Sequence, residues 1–494
     1  MTKDLLSDTS RRRQAAPIQC ASSPIDSDDE EEMTLSETTD LVILGGGSGG
    51  YACALRAAQL GLTVTMIEND KVGGTCLHYG CIPTKALLHA AEVADSARDG
   101  ESIGVNSTLA GIDMNGVNKY KDGVVAKLYK GLQGLVKSRK ITVVEGTGRL
   151  VGDKTVEVDG ERYTASKAVV LATGSYARSL PDLKIGGRVI TSDQALTLDY
   201  VPKRVVVLGG GVIGVEFASV WRSFGAEVTI VEALPRLAPL EDEWSSKQLE
   251  RAFRKRGITF KTGIKFSGVE QTDSGVKVIL EQGDPIEADL LLVAVGRGPR
   301  TTDVGFEEAG IEMDRGFVLT DEQLQTNVDG VYAVGDIVPG LQLAHRGFAQ
   351  GIFLAEQLAG LNPPPIDETG IPKVTYCNPE IASVGLTEAQ AKEKHGKVST
   401  VVYDLAGNGK SQILKTAGGI KLVRVGGKDE QGPVVGIHMV GERVGELVGE
   451  AQLVYNWEAY ADDVAQLIHA HPTQTEAFGE ATLALAGKPL HAHG

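Results

Sequence analysis

Two cysteines, Cys76 and Cys81, are the residues whose type and spacing could support redox chemistry. Four residues separate them within the segment GGTCLHYGCIPTK (73–85). Pro83 is tolerated in a first helical turn because its missing N–H has no partner there, so we place a helix start near Ile82. Cys81 then lies at the positive end of that helix, where the pKa of a cysteine can fall from ~8.5 toward ~3.5–7.5. The segment favours a redox-active disulfide.

The same cysteines are compatible with a structural disulfide or with half of a metal site. No second cluster of Cys or His follows at the spacing of a zinc site, so we expect no metal. An ideal helix through both cysteines would rotate them apart by roughly 140°. We therefore expect Cys76 to lie in the loop, with Cys81 reaching back toward it.

The stretch before the cysteines is typical of a dinucleotide-binding unit. An apolar strand, 41–44, leads into a G-x-G-x-x-G pattern formed by Gly45, Gly47 and Gly50. An Ala/Leu-rich helix and a second strand follow, and the second strand closes on Glu68. In such a unit the glycines allow the backbone to approach a pyrophosphate at the helix N-terminus, and the acid binds a ribose hydroxyl.

The same unit occurs a second time. The strand 205–208 leads into Gly209, Gly211 and Gly214, and the next strand closes on Glu232. In both units the acid lies 23 positions after the first glycine. One G-x-G-x-x-G is weak evidence, but a repeat in the same register predicts two dinucleotide sites.

With two dinucleotide sites and a dithiol, the chain resembles the class I pyridine nucleotide-disulfide oxidoreductases. From about Asp40 to the C-terminus the chain is similar to their dihydrolipoyl dehydrogenase branch. Besides the cysteine segment, the resemblance rests on the motifs ATGS (172–175), AVGRGP (294–299), AVGDI (333–337) and HAHPTQTE (469–476). It implies an α/β fold with two Rossmann-like dinucleotide-binding domains and a C-terminal α+β dimerisation domain.

The resemblance also implies a domain organisation. It assigns FAD binding to residues 40–177, NAD binding to 178–297, a central part of the FAD domain to 298–362, and a dimerisation (interface) domain to 363–494. Residues 1–39 are polar and carry an acidic run near their end, so we expect a disordered N-terminal extension there.

The first unit is expected to hold FAD, because in the family the cysteine helix directly follows the acid of the FAD unit. The positions that match family contacts to FAD are Gly45, Gly47, Gly50, Glu68, Thr75, Lys85, Gly148, Thr173, Gly174, Ser175, Asp336, Ala344 and His345. In the family, an aspartate at the position of Asp336 bonds the ribityl chain of the flavin.

The second unit is expected to hold NAD. The matching positions are Gly209, Gly211, Gly214, Glu232, Gly296 and Arg297, the last two near the nicotinamide by resemblance. Glu232 would repel the 2′-phosphate of NADP, and no arginine adjoins it to receive that phosphate. Arg236, four residues further on, is the one nearby cation that could alter this preference for NAD.

Lys85 lies one helical turn after Cys81, and Glu216 of the second unit is a plausible partner for it. An ordinary surface lysine on an amphipathic helix is the alternative interpretation. In the family such a Lys–Glu pair lies near the flavin N5, where a cation stabilises negative charge that develops on the reduced ring.

His471 and Glu476 match the catalytic base of the family and its carboxylate partner. An imidazole can accept a thiol proton near neutral pH, and a carboxylate can fix its tautomer. A surface histidine beside a turn proline is the alternative. By resemblance, His471 acts on the disulfide of the partner subunit in a homodimer, whereas His469 is expected to be structural.

The implied activity is the oxidation of protein-bound dihydrolipoamide to lipoamide with reduction of NAD to NADH. The expected partners are a second copy of the chain and the lipoyl domains of 2-oxo acid dehydrogenase complexes. Two alternatives stay open: an NAD(P)H-dependent reductase of another low-molecular-weight disulfide, and a non-catalytic scaffold of a multienzyme complex.

Composition limits the partners and the location. With 494 residues, roughly three domains are expected. The net charge of −16 argues against nucleic acid as a partner. No apolar run reaches the ~18 residues of a membrane span. Five cysteines that form no set of dispersed pairs suit a reducing compartment, so we expect a cytoplasmic protein.

Overall fold

The computed structural model describes residues 39–492. The disorder expected for residues 1–39 concerns a segment outside the described residues, except for Thr39, which begins the first strand. Within 39–492, no helix combines the length and the apolar character needed to cross a membrane.

The first sheet has seven strands and contains the first glycine-rich unit. Its strands are β1 (Thr39–Leu44), β2 (Val64–Glu68), β3 (Thr142–Glu145), β4 (Arg149–Gly152), β5 (Thr155–Val158), β6 (Glu161–Leu171) and β19 (Val331–Ala333). Their order is β3-β2-β1-β6-β5-β4, and β19 also pairs with β6. The pairs β1–β2, β1–β6, β2–β3 and β6–β19 are parallel, so the carboxyl ends of these strands meet at one edge.

Five helices flank this sheet in sequence or in space. They are α1 (Ser48–Gln59), α2 (Gly74–His78), α3 (Cys81–Asp99), α4 (Met114–Ser138) and α8 (Ala344–Leu358). Small residues let α1 and α8 approach closely, since a Cβ on Gly351 would lie 2.4 Å from the carbonyl oxygen of Gly49. Cys53 is fully buried in α1 and acts as a small core residue.

The second sheet is parallel and contains the second glycine-rich unit. Its strands are β8 (Val189–Thr191), β9 (Arg204–Leu208), β10 (Glu227–Glu232), β11 (Thr259–Thr262) and β15 (Leu290–Val293), in the order β11-β10-β9-β15-β8. Its helices are α5 (Ser192–Ala195), α6 (Val212–Phe224) and α7 (Glu243–Lys255). The strand β15 ends at Val293, and the exposed Gly296 turns the chain three residues later with φ +104°.

Three small antiparallel sheets accompany the parallel ones. The first consists of β12 (Phe266–Gln271), β13 (Val276–Leu280) and β14 (Ile286–Ala288). The other two pair β7 (Ser175–Ala177) with β16 (Arg297–Pro299), and β17 (Met313–Asp314) with β18 (Phe317–Val318). The β7–β16 pair is important for the site because it links the ATGS and AVGRGP motifs.

The last sheet is antiparallel. Its strands are β20 (Lys373–Thr375), β21 (Glu380–Gly385), β22 (Val398–Asp404), β23 (Gly419–Val425) and β24 (Val434–Gly441), in the order β20-β21-β24-β23-β22. The helices of this region are α9 (Glu388–His395), α10 (Gly409–Leu414), α11 (Val444–Asn456), α12 (Ala461–Ala465) and α13 (Thr475–Leu485). The predicted fold class is confirmed, whereas the predicted domain boundaries stay predictions.

Candidate active site

The first glycine of each repeat occupies the same strained turn. Gly45 has φ +108°, and a Cβ on it would lie 2.3 Å from the carbonyl oxygen of Ala172. Gly209 has φ +111°, and its Cβ would lie 2.3 Å from the carbonyl oxygen of Ala294. Both the backbone conformation and the lack of space therefore require glycine, and the two turns match closely.

The third glycine of each repeat allows the helix to pack on that turn. A Cβ on Gly50 would lie 1.9 Å from the carbonyl oxygen of Gly45, and a Cβ on Gly214 would lie 1.9 Å from that of Gly209. No side chain could be accommodated at either position. The first turn of each helix is therefore held against the end of the strand before it.

The second glycine of each repeat leaves open space at a helix N-terminus. Gly47 and Gly211 are the N-caps of α1 and α6, and neither helix has a side-chain cap. A Cβ on Gly211 would meet no atom within 4 Å, and one on Gly47 would meet only the Cα of Gly74, at 3.9 Å. Uncapped N–H groups facing open space fit the pyrophosphate of a dinucleotide.

The acid of each repeat is oriented by backbone N–H groups. Glu68 accepts hydrogen bonds from the N–H of Gly46 at 2.7 Å and of Asp70 at 2.9 Å. Glu232 accepts corresponding bonds from the N–H of Gly210 at 2.6 Å and from the N–H of the residue two positions after Glu232 at 2.7 Å. The two carboxylates therefore lie at equivalent places at the mouths of the two units, and the residues present fit two dinucleotides.

Arg236 is directed at backbone carbonyls. Its Nη2 donates to the carbonyl oxygen of Pro239 at 2.8 Å and to that of Glu241 at 3.1 Å. These two bonds direct the Nη2 group of Arg236 toward the backbone carbonyls of its own loop. The geometry therefore agrees with a preference for NAD.

The two cysteines lie in adjacent helices. Cys81 is the first residue of α3, as expected, but Cys76 lies in the one-turn helix α2 and not in a loop. The chain enters α2 through Gly73 at φ +112°, and the helix ends at His78, so the two cysteines do not share one ideal helix. Both are free thiols, partly exposed, and close enough to shift each other's pKa.

The two thiols differ in pKa. The hydrogen bond from Cys76 lowers the pKa of Cys81 to about 7, with a further contribution from the charge of Lys85 against the opposing effects of burial and of Glu216. The pKa of Cys76 is raised by the same hydrogen bond and by burial. The charge of Lys85 and the position of Cys81 at the start of α3 therefore favour a thiolate on Cys81 over one on Cys76.

Lys85 and Glu216 form an ion pair next to Cys81. The Lys85 Nζ donates to both carboxylate oxygens of Glu216, at 2.9 and 2.8 Å. The Glu216 side chain is almost fully buried in α6. Burial lowers the pKa of Lys85, but the attraction of Glu216 and of Cys81 outweighs it and leaves the pKa above its ordinary value. The ammonium is therefore charged near neutral pH.

A polar cluster lies where the first sheet, the ATGS motif and the AVGDI motif meet. The Ser175 hydroxyl donates to Asp336 and accepts from the Nε of Arg297 at 2.7 Å. The Nη2 of Arg297 donates to the backbone oxygen of Ser175 at 2.8 Å and approaches the Thr75 hydroxyl at 3.5 Å. Arg297, assigned from sequence to the nicotinamide, thus contacts two residues assigned to FAD.

The remaining residues assigned to FAD lie around the same edge. Thr173 donates through its hydroxyl to the carbonyl of Arg300, and Gly174 turns the chain at φ +76° with no atom near its missing Cβ. Ala344 is the first residue of α8. His345, beside it, has its Nε2 2.7 Å from the carbonyl oxygen of Pro372.

Gly148 lies on the core side of this edge. A Cβ there would lie 2.6 Å from Leu44 and about as close to Val156 and Ile67, at 2.9 and 3.0 Å. The structure thus requires glycine at position 148 for packing, independent of any ligand.

His471 and Glu476 form a hydrogen-bonded pair near the C-terminus. The Nδ1 of His471 lies 2.8 Å from Glu476 Oε1, and the Thr473 N–H donates to Glu476 Oε2 at 2.8 Å. Slight burial raises the pKa of Glu476, but Thr473 and His471 lower it further, so the acid is ionised. A carboxylate can only accept, so Nδ1 donates and Nε2 carries the lone pair of a base.

The His471 side chain is 77% exposed, unlike an ordinary core histidine. His469 differs from it, since its side chain is 13% exposed and its Nε2 bonds Glu450 at 2.8 Å. A Cβ on Gly479 would collide with the His469 ring at 2.5 Å, so this ring packs against α13. The contrast agrees with a structural His469 and a His471 free to meet another molecule.

The sequence analysis missed Tyr376. Its backbone N–H donates to Glu216 Oε1 at 2.9 Å, and its ring centroid lies 4.8 Å from the Lys85 Nζ. Tyr376 is 291 positions after Lys85 in the chain. No local pattern marks it, so only the folded arrangement reveals the contact.

Sequence comparisons match two family descriptions. The description "Pyridine nucleotide-disulphide oxidoreductase" matches residues 39–351, and its "dimerisation domain" matches residues 371–482. A dihydrolipoyl dehydrogenase of Bacillus subtilis (strain 168) is 40% identical over 471 residues, which cover 92% of this chain and 99% of the relative. A mitochondrial dihydrolipoyl dehydrogenase of Pisum sativum is 39% identical, covering 92% and 93%.

Other similar proteins carry other names. A leghemoglobin reductase of Glycine max is 38% identical over 93% of this chain and 89% of its own length. Among solved structures, LpdA of Mycobacterium tuberculosis has a TM-score of 0.84 and 26% identity over 91% of this chain and 100% of its own. The HOCl-induced flavoprotein disulfide reductase RclA of Escherichia coli has a TM-score of 0.80 and 25% identity over 90% and 99%.

Proposed function

The chain belongs to the pyridine nucleotide-disulphide oxidoreductase family, and we propose that it acts as a dihydrolipoyl dehydrogenase, oxidising protein-bound dihydrolipoamide to lipoamide with reduction of NAD to NADH. The observation that carries this proposal is the thiol pair formed by Cys76 in α2 and Cys81 at the start of α3, beside the Lys85–Glu216 ion pair. Relatives that are 40% and 39% identical over nearly their whole length and bear this name support it.

Two cofactors complete the proposed enzyme. FAD would be held by the first glycine unit, by Glu68 and by the polar cluster of Ser175 and Asp336. NAD would be held by the second unit and Glu232. When bound, FAD supplies what the thiols lack, because it accepts the electron pair of a dithiol and passes it to NAD as a hydride.

The protein residues carry out the thiol exchange. His471 takes a proton from one dihydrolipoamide thiol, and the resulting thiolate attacks the Sγ of Cys76 in the Cys76–Cys81 disulfide. The bond between the cysteines breaks, and Cys81 leaves as a thiolate. The second substrate thiol then displaces Cys76 from the mixed disulfide, so lipoamide is released oxidised and the protein pair is reduced by two electrons.

The local charges suit this division of roles. Leaving groups of low pKa depart faster, and the pKa of Cys81 is about 7 whereas that of Cys76 is raised. The charged Lys85 stabilises the thiolate that forms on Cys81. Cys76 is the better site of attack because its partner leaves readily.

The matched dimerisation domain supports a homodimer. Within it we propose that His471 serves the disulfide of the second subunit, since its exposed ring has no hydrogen bond in the described residues besides that to Glu476. We further propose that lipoyl domains of 2-oxo acid dehydrogenase complexes bind there. The cytoplasmic location stays a prediction.

The test of the function is a steady-state assay of the purified protein. We expect turnover with dihydrolipoamide and NAD to exceed turnover with NADPH and glutathione disulfide. A preference for the second substrate pair would support another disulfide reductase, and no turnover with either pair would support the scaffold.

The carboxylate of Glu232 is expected to set the preference for NAD. In the double variant Glu232→Ala/Ala233→Arg the repulsive acid is gone and a phosphate partner is present. A charge-assisted hydrogen bond contributes about 1.5–3 kcal/mol, so we expect the NADP/NAD ratio of kcat/KM to rise about 10- to 100-fold. The ratio is measured and not the absolute activity. Removal of the Glu232 carboxylate leaves two backbone N–H groups without their acceptor, which lowers activity with both cofactors.

The matched control is Glu227→Ala, at the exposed start of the same strand. This variant should leave the ratio unchanged. An unchanged ratio in the double variant would mean that Glu232 is not the ribose ligand.

A further inference from the structure

Tyr376 makes two different contacts with one ion pair. Its backbone N–H donates to Glu216 Oε1 at 2.9 Å, and its ring faces the Lys85 Nζ, 4.8 Å from the centroid. The residue lies just after β20, in the last of the three large sheets, whereas Lys85 and Glu216 lie on α3 and α6. A residue of the region matched as the dimerisation domain therefore reaches the redox centre of its own chain.

The backbone of this segment is anchored independently of the Tyr376 side chain. The Asn378 N–H donates to the Ser219 hydroxyl at 3.0 Å. Ser219 lies one helical turn after Glu216 in α6. Arg256 Nη1 donates to both the Ser219 hydroxyl and the Asn378 carbonyl, at 2.7 and 2.9 Å. These bonds hold the segment on α6, so removal of the ring leaves the backbone in place.

The ring stabilises one position of a long side chain. The four-carbon stem of Lys85 is flexible and gives the ammonium other positions besides the one against Glu216. An aromatic face attracts an ammonium within about 6 Å of its centroid. The ring thus adds to the pull of Glu216 and keeps the positive charge close to the start of α3.

We propose that Tyr376 is a positioning residue of the redox centre, whose ring holds the Lys85 ammonium where its charge stabilises the Cys81 thiolate. The inference rests on the proposed redox role of Cys76 and Cys81. The charged and titratable groups that interact with Cys81 are Cys76, Lys85, Glu216, Tyr51 and Arg297. Two of them, Lys85 and Arg297, are cations, and the charge of Lys85 lowers the pKa of Cys81.

The test measures the Cys81 thiolate and does not depend on turnover. The Cys76→Ser holoenzyme leaves Cys81 as the one partly exposed thiol among residues 39–492, because Cys53 and Cys377 are buried. A serine hydroxyl can still donate a hydrogen bond to that thiolate. The rate of alkylation by iodoacetamide is followed from pH 5 to 10, and the peptide that contains Cys81 is quantified by mass spectrometry.

Tyr376→Leu and Tyr376→Met, in this background, are expected to move the alkylation midpoint to higher pH. The rate at pH 7 should fall about two- to fivefold, from the strength of a cation–π contact at a partly exposed site. Lys85→Met should move it further in the same direction. Tyr376→Phe keeps the ring face and should restore the original profile, and Tyr120→Leu, at an exposed tyrosine of α4, is the control.

Three results would overturn the inference. Unchanged profiles in folded Tyr376→Leu and Tyr376→Met would show that the ring does not hold Lys85. A Phe variant that behaves like Leu would assign the effect to the hydroxyl, and an unchanged Lys85→Met profile would remove Lys85 from the stabilisation of Cys81. Failure of the proposed function appears separately, in the dihydrolipoamide assay of the unmodified protein.

Discussion

Replacement of Cys81 by serine is expected to abolish turnover of dihydrolipoamide, with a loss on the order of 10³-fold or more. A serine at this position cannot form the disulfide with Cys76 that the substrate reduces, so the exchange has no bond to break and no leaving group at position 81. Cys76→Ser should lose as much activity, because it removes the sulfur that is attacked. The measurement is kcat with dihydrolipoamide and NAD, alongside the flavin content of each purified variant.

Cys53→Ala is the matched control for both variants. Cys53 is fully buried in α1 and makes no contact that the chemistry uses, so its truncation should leave kcat unchanged at a small cost in stability. If either serine variant retained more than a few per cent of activity with its flavin bound, the disulfide mechanism would be wrong.

Replacement of His471 by alanine is expected to lower kcat by about 10²–10⁴-fold, the contribution of a general base. The inactive variants Cys76→Ser and His471→Ala are then mixed under conditions that exchange subunits. If His471 serves the other subunit, each heterodimer has one site with both functional groups and one site with both defects. Random exchange makes half of the dimers heterodimers, so activity should recover to roughly a quarter of the original.

Recovery distinguishes the two arrangements of the base. If His471 served its own chain, every site would keep one defect, and mixing would restore nothing. His395→Ala, at an exposed histidine of α9, should behave like the unmodified protein. No recovery despite demonstrated exchange would overturn the cross-subunit proposal.

The repeated glycine units were the most predictable part of the fold. Gly45 and Gly209 turn the chain at φ +108° and +111° against a backbone carbonyl, a requirement that only glycine meets. The glycine spacing therefore encodes the turn directly. The acids Glu68 and Glu232 follow at the same distance because the intervening helix and strand have a fixed geometry.

The sequence analysis placed Cys81 correctly but misplaced Cys76. Pro83 placed the start of α3 well, but nothing in GGTC indicated that Cys76 lies in a one-turn helix of its own. That helix follows the left-handed Gly73, whose N–H donates to the Gly46 carbonyl of the glycine turn at 2.8 Å. A local sequence pattern does not predict tertiary contacts of this kind.

Long-range side-chain contacts were predictable only where the family resemblance supplied them. The Lys85–Glu216 pair joins residues 131 positions apart and was expected from resemblance alone. Tyr376 contacts both members of that pair, lies further along the chain than either, and belongs to no recognised sequence motif. The roles assigned to the site residues and the domain boundaries stay predictions until they are measured.

The most direct measurement of the redox proposal follows the two thiols themselves. The oxidised protein is mixed anaerobically with one equivalent of dihydrolipoamide, without NAD, and then quenched with excess iodoacetamide under denaturing conditions. We expect peptides linked by a Cys76–Cys81 disulfide before mixing, and alkylated Cys76 and Cys81 afterwards, with addition of NAD before the quench restoring the disulfide. Cysteines that are alkylated equally with and without dihydrolipoamide would contradict the account, because the pair would then exchange no electrons with this substrate.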